Sequence, residues 1–283
     1  MSTFIENATE LIKKDGIEIY RITEIKGGVD TTAELKYANP CQNIYSVSKV
    51  FTATAVMMLW DRGLMSLDEK VCDVFKDELP EGIDPAWYCV TVDQLLTHRA
   101  GFAWGQLDID CQDSTEYGDN DYLRLLFNTP LAFEPGKDFT YSDAAFYLLS
   151  RIVSKKLGEP MDNFLWRELF VPCKVREAAW SHCPMGYPMG ATGLYIRSED
   201  VAKLGEIYLH GGTYGTHRIL SKEAVDTVLS RGYELNLSKN CKYYSKGGMR
   251  GSMLQIIPEK DRVVAWTACD DRDMSFILNL ACE

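Results

Sequence analysis

The sequence predicts an α+β fold in which both chain ends contribute to one sheet and a helical insertion of about 115 residues lies between them. Three observations carry this reading. Extended runs fall near both ends, helical periodicity fills the middle, and one helix near the N-terminus is apolar on every side. The sheet domain then takes residues 1–70 and 186–283, and the helical domain residues 71–185.

Each element has its own signal. Residues 4–14 read as a short helix, and IEIYRI (17–22) alternates apolar and polar residues as a half-buried strand does. Between Val50 and Trp60 apolar residues fall all round the helical wheel, which marks a buried helix, and Gly63 supplies its stop. Further on, DQLLTH (93–98), DYLRLLF (121–127), SDAAFYLLSRIVSKKLG (142–158) and MDNFLWRELF (161–170) read as helices. The third has Ser142 or Asp143 as N-cap, Phe146, Leu149, Ile152 and Val153 on one face, Lys155 and Lys156 in its last turn, and Gly158 beyond. After GATGLYI, helical segments at 199–210 and 221–230 precede two extended runs, SMLQIIP and RVVAWTA, split by the turn EKD. The tail DMSFILNLACE reads as a closing helix.

Composition narrows the function. At 46% hydrophobic and 25% charged, the 283 residues make an ordinary folded chain. A net charge of -11, from 30 basic against 41 acidic residues, argues against a nucleic-acid partner, which needs clustered Lys and Arg. The opening MSTFIENATELIKKDG lacks the apolar stretch of a secretory signal. No apolar run reaches the roughly 18 residues of a membrane span, so no membrane partner is expected. Nine scattered cysteines, an odd number, fit reduced thiols, and the expected compartment is the cytoplasm.

The nucleotide-binding, zinc-protease and G-x-S-x-G hydrolase motifs are all missing, and none of the four histidines stands at ligand spacing to another His or Cys. No metal site is expected, and each histidine reads as structural. What remains is Ser46-Val47-Ser48-Lys49, the only S-x-x-K in the chain, opening the buried helix. The spacing of three puts Ser46 and Lys49 on one face, the helix N-terminus favours a developing alkoxide, and burial disfavours the lysine's ammonium form. A serine activated by a lysine is one reading; a serine that caps the helix beside a lysine whose head reaches for water is the other. Tyr141-Ser142-Asp143 presents a tyrosine hydroxyl at the entrance of the 142–158 helix. Lys246-Gly247-Gly248-Met249 precedes the strand SMLQIIP, where paired glycines admit a close backbone approach, although taken alone it serves equally as a hairpin turn.

In this order and at this spacing the three segments resemble the serine β-lactamase and penicillin-binding-protein-like hydrolases, in particular the class C β-lactamase, DD-peptidase B and family VIII carboxylesterase group. S-x-x-K is SVSK, the tyrosine motif Y-[SA]-N is YSD, and K-T-G is KGG. LMSLDEKV, VTVDQLLTHRAGF, FEPGKDFTYSDAAFYLLSRIV and TGLYIRSEDVAKLGEIYLHGG look familial too, and the likeness runs over about residues 40–270. It implies a β-lactamase-like fold: an antiparallel sheet flanked by helices, a mainly helical domain beside it, and an active site between the two. It also implies Ser46 as acylated nucleophile, Lys49 and Tyr141 as general base and acid, and Lys246 as holder of substrate charge. The backbone N–H groups of Ser46 and Met249 become the oxyanion hole, with Gly247, Gly248 and Asp143 lining the substrate. The implied substrate is a small ester, amide or lactam, with no cofactor.

Two residues depart from the family pattern. Asp143 stands where Asn is usual and brings a carboxylate toward Lys49 or Lys246, while Gly247 stands where Thr would offer a hydroxyl to a substrate carboxylate. The chain is also short for a class C enzyme and shows no export signal. The expectation is therefore an intracellular esterase or amidase, with a β-lactamase or DD-peptidase as the alternative and a catalytically idle ligand-binding protein as another. A thiol enzyme built on Cys41 or Cys241 is the weakest option, because nothing at helix-start spacing activates either residue.

Overall fold

The computed structural model describes residues 3–283; residues 1 and 2, counted in the sheet domain above, lie outside the described residues. In chain order the helices are α1 (Phe4–Asp15), α2 (Ser48–Asp61), α3 (Val71–Val74), α4 (Val92–Leu96), α5 (Tyr122–Phe127), α6 (Asp143–Leu157), α7 (Met161–Leu165), α8 (Ser198–Leu209), α9 (Lys222–Arg231) and α10 (Ser275–Ala281). The strands are β1 (Ile19–Lys26), β2 (Val29–Glu34), β3 (Gln42–Asn43), β4 (Ala178–Trp180), β5 (Leu194–Ile196), β6 (Thr213–Tyr214), β7 (His217–Arg218), β8 (Asn236–Leu237), β9 (Tyr244–Gly247), β10 (Met253–Ile257) and β11 (Arg262–Ala268). Among the described residues no helix is long and apolar enough to cross a membrane.

The chain divides into two compact units. One comprises the described residues up to Val50 with Glu168–Ala179 and Leu194–Glu283; the other comprises Phe51–Arg167 and Trp180–Gly193. These bounds differ from those read off the sequence: α2 groups with the helices from Phe51 onward, residues 168–179 join the first unit, and residues 186–193 join the second. A helix apolar on every side has no solvent face to hold it at a border.

The first unit is built on a six-stranded sheet ordered β2-β1-β11-β10-β9-β8, every pair antiparallel. Gly27 and Gly28, both at positive φ, close the β1–β2 hairpin with the backbone that a two-residue turn demands. β11 is buried along its whole length because both faces of the sheet are covered. Val264, Trp266 and Ala268 join Ile5, Ile12 and Ile277 of α1 and α10 in one apolar cluster. Against the other face lies α8, so close that a Cβ on Gly205 would stand 2.5 Å from Val263 Cγ1. Thr3 and Glu6 form a capping box at the start of α1, and Gly16 ends it in the left-handed region.

The second unit is helical. Its central helix, α6, is buried from Asp143 to Ser154, more fully than the one-sided apolar stripe predicts. Its interior polar groups are satisfied: the Ser150 hydroxyl donates to the Pro188 carbonyl at 2.7 Å and Arg151 donates to the Tyr147 hydroxyl at 2.9 Å. MDNFLWRELF departs from a single helix, since α7 stops at Leu165 and residues 166–170 continue as one wider π turn.

Candidate active site

Ser46 lies not within the α-helix but in a tight turn, Tyr45–Val47, that leads directly into α2. Lys49, in the first turn of α2, is fully buried, and its Nζ donates to Ser46 Oγ at 3.1 Å. The three-residue spacing therefore delivers the contact expected of it. Tyr45 holds φ at 48°, left-handed backbone that a bulky side chain seldom adopts, and its N–H donates to Asn43 Oδ1 at 2.9 Å. The peptide of Leu194 in β5 grips the turn from both sides. Its carbonyl accepts from Ile44 N–H at 3.0 Å, and its N–H donates to the buried Ser48 hydroxyl at 3.4 Å. Ser48, the unassigned serine of the motif, thus anchors the start of the helix.

Lys246 and Gly247 belong to β9, and Gly248 and Met249 to the turn after it. Only glycine fits at 248: a Cβ there would stand 2.3 Å from the Ile44 carbonyl oxygen. β9 and the Met249–Gly251 turn thereby pack against the Ser46 turn. At 247 the demand is weaker, since a Cβ would meet only the flexible Met253 side chain, its Cε at 3.3 Å and its Sδ at 3.9 Å. Lys246 is buried and forms an ion pair with the equally buried Glu234. No motif contains Glu234. Its position two residues before β8, which pairs with β9, brings it there, and only knowledge of that pairing could have signalled it.

Tyr141 and Asp143 lie in the second unit. Tyr141 precedes α6, and its ring lies over the His98 imidazole with centroids 4.4 Å apart. His98 Nδ1 accepts from the Ser142 N–H at 3.3 Å. Its carbonyl accepts from Thr140 N–H at 2.9 Å, so one residue at positive φ holds the chain on both sides of Tyr141. His98 was read as structural from the sequence; here it supports a motif residue. Ser142 takes the N-cap position of α6 without capping it, its hydroxyl turned to the Gln106 carbonyl at 3.4 Å. Asp143 gathers with Asp108 and Asp110, one carboxylate oxygen of each within 4.8 Å of the others. Three hard oxygens of this kind suit Mg²⁺ or Ca²⁺, and a search by His and Cys spacing does not weigh them; acidic groups also gather this way without an ion. The Thr192 hydroxyl donates to Asp110.

Comparison with known proteins agrees with the family resemblance read from the sequence. The chain is 32% identical over 166 residues to "Penicillin-binding protein 4" of Amycolatopsis lactamdurans, covering 56% of this chain and 40% of that protein. It is 32% identical over 130 residues to "Esterase EstB" of Burkholderia gladioli, covering 41% of this chain and 32% of that one. The matched segments thus span less than half the length of these relatives. A penicillin binding protein from Bacillus halodurans superposes with a TM-score of 0.72 at 18% identity, over 96% of this chain and 98% of that chain, which shows the fold. The sequence profile of the beta-lactamase family matches residues 38–275, and the chain belongs to that family.

Proposed function

We propose that the protein is a serine hydrolase that works through an acyl-enzyme on Ser46, with small esters or amides as substrates. The observation that carries this is the 3.1 Å contact between Ser46 Oγ and the amine of the fully buried Lys49. Burial disfavours the charged form of an amine, and a neutral amine accepts the serine proton as Oγ attacks the acyl carbon. The proton then passes to the departing alkoxide or amine, the carbon–leaving-group bond breaks, and water releases the acid from Ser46 in a second round. Tyr141 takes the third place in this proton transfer, a role supported by its place in the motif order and by the His98 contacts that hold it. The N–H groups of Ser46 and Met249 receive the oxyanion; the close fit of Gly248 on Ile44 supports this. Gly247, without a hydroxyl, favours esters and amides over penicillins. The odd, scattered set of nine cysteines supports a reducing compartment.

The test is intact-protein mass after incubation with a fluorophosphonate probe. One adduct on the parent and none on Ser46→Ala is the expected result; an unlabelled, folded parent overturns the reading in favour of an idle ligand-binding scaffold, which Asp143 and Gly247 would suit. Hydrolysis of a penicillin at a rate matching simple esters would shift the reading to a β-lactamase.

A further inference from the structure

Resting on the hydrolase reading, we propose that Glu234 sets the substrate class: by neutralising Lys246 it makes the site favour acyl groups that carry no carboxylate. Lys246 is the one cation of the KGG motif, and its charge is the asset that a carboxylate-bearing substrate would use. That charge is already matched by Glu234 in a pair in which Lys246 is 9% and Glu234 3% exposed. A substrate carboxylate would have to share one ammonium with a fixed carboxylate a few ångströms away, in a setting where water screens neither.

The fold fixes Glu234 in place. Tyr233 and Leu235 on either side are fully buried, and Glu234 itself sits at φ 65°, its N–H donating to the Gly232 carbonyl at 2.7 Å. β8 begins two residues later and pairs Asn236 with Ser245, next to Lys246. The carboxylate is therefore a built part of the lysine's surroundings and not a mobile surface charge. The positions that follow Lys246 do not make up for this. Gly247 has no hydroxyl, and Arg250 in the following turn is paired with Asp271 at 2.8 Å.

Two esters of matched size test this: para-nitrophenyl butyrate and para-nitrophenyl hemisuccinate, which differ by a terminal methyl against a carboxylate. The wild type should favour the butyrate by about tenfold or more in kcat/KM, the scale on which like charges brought together discriminate. In Glu234→Gln that preference should shrink by about tenfold or more, through a lower KM for the hemisuccinate. A purely structural loss would slow both esters together and leave their ratio unmoved. Wild-type turnover of the hemisuccinate equal to the butyrate, or an unchanged ratio in Glu234→Gln, overturns the proposal. The wild-type ratio needs no variant and stands as the test should Glu234→Gln fail to fold. Butyrate hydrolysis that persists in Ser46→Ala would instead overturn the hydrolase reading, so the two failures are distinguishable.

Discussion

Two adjacent glycines separate what the backbone requires from what chemistry requires. Gly248→Ala forces a methyl to within 2.3 Å of the Ile44 carbonyl, a backbone atom that cannot turn aside. Overpacking of this kind costs about 1–3 kcal/mol, and urea unfolding should show it together with weaker fluorophosphonate labelling. Gly247→Ala meets only the end of the flexible Met253 side chain and should stay within about 1 kcal/mol of wild type in the same assay. His98→Leu removes the acceptor for the Ser142 N–H and the ring under Tyr141. If Tyr141 has the role proposed for it, kcat on an ester should fall by up to about 100-fold with KM little changed, and His98→Gln should recover part of it. At this scale the sequence was most legible where contact follows from local spacing. Ser46 and Lys49 meet because they are one helical turn apart, but Glu234 meets Lys246 through a strand pairing that no local pattern encodes.

Among the elements, those with two covered faces or a continuous apolar run were readable, which is why β10 and β11 emerge from SMLQIIP and RVVAWTA. β2 and β8 were not, because VDTTAE is polar and half exposed and β8 is only two residues long; both are strands only by virtue of their neighbours. The segment after β11 shows how such neighbours are tied together. Asp270 accepts from the Glu18 N–H at 2.9 Å, while Arg272 bonds Asp270 and reaches the carbonyls of Asp15 and Gly16 at 2.9 and 2.6 Å. The Arg272 guanidinium, and after it the Glu18 N–H, hold the Asp270 carboxyl well below the usual carboxylate range. A carboxyl depressed in the folded state stabilises above the unfolded value, about 3.9, and the benefit is lost as pH falls through the folded value. The Tm of the wild type should therefore drop as pH is lowered below about 4, and Asp270→Asn should flatten that drop. Parallel curves for the two proteins would show that the clamp carries no such linkage.

For the molecule as a whole, burial sorts the thiols. Cys72, Cys173 and Cys183 are buried, and burial pushes the first two up to about 11 and about 12. Cys89, Cys111, Cys241 and Cys269 are exposed. A disulfide reagent at neutral pH should modify these four in the native state, reach the buried three only on unfolding, and leave probe labelling of Ser46 intact. Loss of that labelling would revive the thiol reading.

The turn around Ser46 also bears on how the protein is made. Its geometry depends on the Leu194 peptide and on Gly248, and β1, already paired with β2, takes its second partner from β11. About 200 residues separate Ser46 from Gly248, so at usual synthesis rates roughly 10–40 s pass before the second arrives. Throughout that interval the nascent chain carries an ordinary serine. The Ser46 turn is therefore built late in synthesis, and the activity proposed for it waits on the arrival of Gly248.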